Sequence, residues 1–443
     1  MPYIPHTDED RREMLETIGV KSVDELFANI PDGLKLKSNL NIPSALDEYR
    51  LYGHLFDLAH KNSSAANTVC FMGAGIYDRY IPASVGAVIS RGEFLTAYTP
   101  YQPELSQGYL QAIYEFQSMV ASLYGMEVAN ASMYDGATSM AEAALMASTI
   151  NGRKKVVVSQ SVHPNYRAVL QTYCWSVGLK VEEISAPNGV TEDYSKVDAE
   201  ATCVIVQNPN FFGSLEDLSR ARDAARAAGA LFIVVADPIA CALLKPPGEY
   251  DADIVVGEGQ PLGIPMGMGG PLLGLFTCKS EYVRRIPGRI VGKTSDHDGR
   301  TGYVMTLRTR EQDIRREKAT SNICTNEALM GLAALVYMTA MGKNGMKRVA
   351  ETTVRNTRYA MQKLSDAGGK VKFAGKVFGE FVLETPMDAT IVQVKLMQKG
   401  ILAGLPLGPF YPPLQNCLLV AVTETRTKEQ IDDYAAKLKE VLS

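Results

Sequence analysis

Over 443 residues the chain has one tryptophan, five histidines, seven cysteines and no apolar run long enough to span a bilayer. Each scarcity excludes a class of function. The histidines form no HExxH pattern, and His54 and His60, six apart, fall on different faces of a helix, so a metal site is not expected. The cysteines, at 70, 174, 203, 241, 278, 324 and 417, make no CxxC pair, and several sit in apolar strand-like runs. Reduced core thiols are therefore expected rather than disulfides or metal ligands. Neither sign of charge is in excess: 45 Lys and Arg against 49 Asp and Glu leave −4, which gives nucleic acid or an anionic membrane no purchase. The opening MPYIPHTDEDRREM is polar and acidic, unlike a signal peptide, so a cytoplasmic location is expected.

What is present is the composition of a globular chain, 46% hydrophobic and 21% charged, long enough for two or three domains around a large core. Residues 1–66 read as a helical arm that packs on the body or on a partner. Ser22 and Glu25 form a capping-box pattern there, and Ser44 is placed to cap SALDEYRLYGHLFDLAHK. From 67 to 324, strands such as KKVVVSQ, TCVIVQN, ALFIVVAD and ADIVV alternate with helical segments, including ones near 104–125 and 139–151. Strands apolar throughout indicate a mostly parallel sheet covered on both faces. From 325 to 443, helical segments reaching roughly 341 and 368 precede a smaller α/β domain ending in the amphipathic TKEQIDDYAAKLKEVL.

Several stretches invite ligand readings. FMGAGIYDRYIP has GxG but lacks the third glycine of a dinucleotide loop, and a structural turn suits it better. GRIVGKTS, 288–295, is one residue short of a phosphate-binding loop and follows no buried strand. In SMYDGATSMAEAALMAS, Gly136, Ala137 and Thr138 open an alanine-rich helix whose amide end suits a phosphate, although Asp135, Thr138 or Ser139 equally suits a plain cap. Asp237 ends the most apolar strand, where a carboxylate either pairs with the pyridinium nitrogen of pyridoxal phosphate (PLP) or caps a turn before Pro238. His163, after KKVVVSQ, is placed to stack on a flat ring or to cap the next helix. Together with the glycine-rich loop in VVGEGQPLGIPMGMGGPLLGLF, 255–276, these residues follow the order of the large PLP aminotransferase-type fold. The lysine such a loop needs is missing.

The strings FMGAGIYDRYIP, YTPYQPELSQG, GEGQPLGIPMGMGGP and TREQDIRREKATSNICT carry a closer likeness. Over nearly its whole length the chain resembles the first, or α, subunit of the glycine decarboxylase P-protein of the glycine cleavage system. The resemblance implies an α/β fold type I architecture in the half of that family that lacks the cofactor. In the other half a lysine before a comparable loop holds PLP. By register with Ile264-Pro265 and Gly269-Gly270-Pro271, Gln260 stands at that position here, and an amide nitrogen is not nucleophilic. Lys245, Lys279 and Lys293 lie outside the loop. The resemblance further implies a PLP-bearing β subunit as partner in α2β2, and joint decarboxylation of glycine. The aminomethyl group then passes to the lipoyl arm of the H-protein. Candidates for completing the partner's site are Tyr77, Asp78, Tyr98, Thr99, Tyr101, Gln102, Glu104, Gln107, Thr320, Ser321 and Asn322. His163, Asp237 and Gly136–Thr138 would then shape a vestigial pocket. Two other readings compete: an independent PLP enzyme of the same fold, and an inert scaffold that binds a metabolite in that pocket.

Overall fold

The computed structural model describes residues 4–64 and 67–443. They fall into two units, one up to Ser63 and one from Ser64 onward. In the first, α1 (Asp8–Ile18) opens on a capping box in which Thr7 and Asp10 exchange side-chain and backbone hydrogen bonds, and it stops at Gly19 in the left-handed region, φ 85°. The box expected at Ser22 and Glu25 does not form. Val23–Phe27 is a single 3₁₀ turn without a side-chain cap, and the Glu25 carboxylate accepts from the Lys21 amide instead, at 3.0 Å. Ser44 caps nothing either. Residues 44–47 stay non-helical and α2 (Glu48–Ala59) starts at Asp47, whose carboxylate accepts from the Arg50 amide at 2.9 Å. The stronger local acceptor decides the start.

The second unit is built on a seven-stranded sheet of β1 (Val128–Ala129), β2 (Lys155–Ser159), β3 (Lys180–Ile184), β4 (Ala201–Asn208), β5 (Leu231–Ala236), β6 (Ile254–Glu258) and β7 (Gly274–Cys278). Its order is β1-β7-β6-β5-β4-β2-β3. The strands from β6 through β3 in that order pair in parallel; β7 alone runs the other way, pairing antiparallel with β6 on one side and with the edge strand β1 on the other. All six residues of β5 are buried, and their alternation explains why the strand reads as unbroken apolar sequence. Phe232 and Val234 join one core cluster, Ile233 and Val235 the other. The first face is covered by α3 (Gln107–Tyr124), by α6 (Leu218–Ala228) and by the start of α7 (Ala328–Asp366). The second is covered by α4 (Gly136–Asn151) and α5 (Pro164–Ser176). Burying each large apolar side chain between these layers contributes about 2 kcal/mol.

The expected break near 341 falls at Gly342, whose φ of 61° interrupts α7. GRIVGKTS supplies strand β8 (Ile290–Ser295) of a hairpin with β9 (Thr301–Thr306), not a phosphate loop. A second, antiparallel sheet, ordered β10-β11-β13-β12, comprises β10 (Lys370–Val371), β11 (Glu380–Glu384), β12 (Leu405–Pro406) and β13 (Cys417–Ala421). The closing helix α8 (Lys428–Leu442) packs against α7. No helix among the described residues is long and apolar enough to cross a membrane.

Candidate functional site: a small pocket at the carboxyl edge of the sheet

Parallel register brings the carboxyl ends of β2, β4, β5 and β6 to one edge, where ligands bind in open α/β sheets. Residues at or just past these ends, Gln207 in β4, Glu258 closing β6, and His163 and Asp237 after β2 and β5, line a chamber of about 50 Å³ that Tyr77, Arg79 and Glu380 also line. That volume holds a water or two but not a pyridine ring.

Asp135 caps α4 by accepting from the Thr138 amide at 2.7 Å, so the plain-cap reading of this helix start is satisfied. The Gly136 amide donates to the Glu258 carboxylate at 3.0 Å. The other carboxylate oxygen of Glu258 accepts from the Gln260 and Leu273 amides at 2.9 and 3.0 Å. Burial raises the Glu258 carboxyl to about 7 despite these three amides. A Cβ on Gly136 would meet the Tyr166 hydroxyl at 2.5 Å, so only glycine fits.

Gln260 is 1% exposed and its amide is fully engaged. The side-chain oxygen accepts from the Tyr77 amide at 2.9 Å, and the nitrogen donates to the Tyr77 and Ile264 carbonyls at 3.1 and 2.7 Å. His163 caps α5: Nδ1 accepts from the Asn165 amide at 3.1 Å while Nε2 donates to the Ala74 carbonyl at 2.8 Å, which selects one neutral tautomer. Burial lowers its pKa to about 4. Its ring stacks on Tyr166 at 4.8 Å between centroids, and Phe211 packs edge-on at the same separation. The surface once read as a stacking platform is thus covered from within the chain. Asp237 accepts from the Ala240 amide at 2.8 Å, capping the turn that follows β5, and also faces the chamber.

The lid is the FMGAGIYDRY segment. Ala74 and Gly75 take positive φ, 59° and 98°, and turn the chain over the chamber. Glu380, at the start of β11, accepts from the Ala74 amide at 2.7 Å and the Tyr77 hydroxyl at 2.9 Å; burial raises its carboxyl to about 7. Asp78 pairs with Arg426 at 2.6 Å, and Arg79 with Glu424 at 2.7 Å. The side chains of Tyr77 and Asp78 thus have partners within this chain, and Tyr77 also lines the chamber. Glu380, Glu424, Arg79 and Tyr166 were not anticipated, nor was Glu258, although a glutamate in the apolar VVGEGQ was a usable signal.

The remaining expected residues gather elsewhere, and none lines the chamber. The Tyr101 hydroxyl donates to Asn326 at 2.6 Å, and the Arg289 guanidinium lies 4.1 Å over the Tyr101 ring. Gln107 holds the backbone of Tyr303 in β9 at both ends, 2.9 Å each. Tyr98, Thr99, Gln102 and Glu104 are exposed, Tyr98 at 82%. In the 320–322 segment, Thr320 donates its amide to the Arg310 carbonyl, the Ser321 hydroxyl accepts from the Ile323 amide, and Asn322 is exposed. The helix expected at Thr325 starts at Ala328.

The residues present do not suit pyridoxal phosphate. The Gly136 amide is taken by Glu258, and Gln260, expected at the attachment position, carries an amide already bonded to Tyr77 and Ile264.

Comparison with known proteins agrees with the architecture. A cysteine desulfurase from Thermococcus onnurineus superposes with a TM-score of 0.61 at 18% identity, covering 85% of this chain and 94% of that one. This likeness places the fold in type I of the PLP-dependent enzymes. A solved glycine decarboxylase (P-protein) of the glycine cleavage system, in inhibitor-bound form, matches at TM-score 0.92 and 45% identity over all of both chains. A protein of Anoxybacillus flavithermus named "Probable glycine dehydrogenase (decarboxylating) subunit 1" is 51% identical over 98% of each chain. Its counterpart of the same name in Thermotoga maritima is 50% identical over 99% of each. The glycine cleavage system P-protein model matches residues 1–438, and the chain belongs to that family.

Proposed function

We propose that the chain is subunit 1 of a glycine dehydrogenase (decarboxylating), inactive alone and acting in the cytoplasm with a PLP-bearing β subunit in an α2β2 assembly. On that partner PLP supplies the electron sink for loss of CO2 from glycine. The aminomethyl group goes to the lipoyl arm of the H-protein, whose disulfide is reduced in the transfer. This chain's part is to complete the partner's site from across the interface. The observation that carries the reading is Gln260: a non-nucleophilic side chain stands at the lysine position, and its amide is wholly used in holding the lid. The exposed group around Tyr98, Thr99, Gln102 and Glu104, along with Asn322, is the surface offered to the partner. Tyr101 and Gln107 brace that surface from behind.

The test is the visible spectrum with added PLP, for the chain alone and mixed with its β subunit, together with glycine–CO2 exchange. Cofactor absorbance and exchange only in the mixture support the proposal. A borohydride-reducible adduct on the lone chain would return the independent-enzyme reading. An assembly without exchange activity would overturn the role in glycine cleavage.

A further inference from the structure

The pocket is not merely without its lysine. Three backbone amides, from Gly136 at the start of α4, from Gln260 and from Leu273, converge on one buried carboxylate. One of the three opens a helix and the other two come from the 259–273 loop; a helix-start amide joined by such loop amides suits an anion such as phosphate. Here the acceptor is covalently part of the chain. The Glu258 side chain grows from the end of β6, is 9% exposed, and divides its two oxygens among the three donors. Tyr166 closes the same space from α5, with its hydroxyl 2.5 Å from where a Cβ on Gly136 would stand. A neighbouring pocket lined by Asp135, Ala137, Asn165, Tyr166 and Glu258 reaches this seat from outside, so the seat is accessible in position and is taken by Glu258 with Tyr166 beside it.

We infer that the Glu258 carboxyl is a built-in acceptor that occupies the phosphate seat of the ancestral pocket, so that this chain excludes phosphorylated ligands independently of the missing lysine. The inference stands apart from the proposed subunit role. It requires only the seat and its occupant. It predicts that restoring the lysine alone does not restore the cofactor site, because the position and the seat are separate obstacles.

Two arms test it on the full chain. In the first, the protein and its Glu258→Ser and Glu258→Gln variants are titrated with inorganic phosphate, with chloride at matched ionic strength as control, and thermal midpoints are read. Serine vacates the seat, and a saturable upward shift specific to phosphate is expected. Glutamine still fills it, and no shift is expected there or in the unaltered protein. A folded serine variant, with unchanged near-ultraviolet dichroism, that ignores phosphate would overturn the inference, as would an equal response from the unaltered protein. The second arm does not depend on the serine variant folding. Gln260→Lys, which keeps Glu258, is incubated with PLP and with pyridoxal, then reduced with borohydride and mapped by mass spectrometry. Labelling at position 260 by PLP no better than by pyridoxal is expected, and a marked preference for PLP would show the seat to be open.

Discussion

The lid over the pocket is held to the second sheet's neighbourhood by a buried ion pair whose loss should be severe. Arg79 and Glu424 have side chains 4% and 9% exposed and meet at 2.7 Å. The Arg79 Nε has no hydrogen-bond partner, so the guanidinium relies heavily on Glu424. Burial opposes the charge on Arg79, and Glu424 followed by Asp237 outweighs it. Glu424→Gln keeps the shape and removes the counter-charge. Breaking one partner of a buried pair typically costs about 3–5 kcal/mol, because the remaining charge is left uncompensated. Asp237 stays in place, so the lower end, about 3 kcal/mol, is expected. Replacing both partners by apolar residues of similar size, Arg79→Met with Glu424→Leu, should recover most of that loss. Part will not return, because Glu424 also accepts from the Tyr80 amide at 3.0 Å. Urea unfolding of the unaltered protein, the single variant and the double variant, with unchanged m-values, measures both the loss and its recovery. A loss below about 1 kcal/mol for Glu424→Gln, or a double variant as unstable as the single, would refute the reasoning.

Two further outcomes follow from other parts of the molecule. Glu142, buried within α4 against the 320–322 segment, has its carboxyl raised to about 7 by burial, against which a hydrogen bond from Ser321 acts. A raised carboxyl contributes stability below its unfolded value near 4.5 and loses it as pH climbs through 7, so Glu142→Gln should gain on the unaltered protein by up to about 3 kcal/mol between pH 5 and 8. Urea midpoints at both pH values check it, and a gap that does not widen with pH would sink it. Tyr98→Ala and Glu104→Ala, at exposed positions, should shift the lone chain's stability by no more than about 0.5 kcal/mol. In the assembly with the β subunit they should lower exchange activity or subunit affinity; unchanged kinetics and affinity would remove this surface from the proposed interface.

How far the site was legible depended on the distance over which each residue acts. The helix α4 was legible, but its expected start lies near 139, with Asp135, Thr138 and Ser139 all open as caps; the structure starts it at Gly136 with Asp135 capping, three positions from the Thr138 amide. His163 left two readings open, since its role as a cap is local but the covering of its ring comes from Tyr166, Phe211 and the Ala74 turn. Tyr77 and Asp78 looked free in sequence and are not, because their partners Glu380 and Arg426 are 303 and 348 positions away. Even local patterns can fail: Ser22 and Glu25 have capping-box spacing, but the segment closes as a 3₁₀ turn.

By itself the sequence determined the layered α/β body, through unbroken apolar strands that only burial on both faces satisfies. It also determined the want of a nucleophile at position 260, since an amide is unreactive in any fold. Its long characteristic strings were enough to point to the family. Only the tertiary structure decided what became of the emptied pocket. Whether Glu258 meets water, a ligand or three amides depends on β6, α4 and the 259–273 loop arriving at one place. A buried charge must find its partners wherever the fold puts them, and no neighbouring residue in the chain announces where that will be.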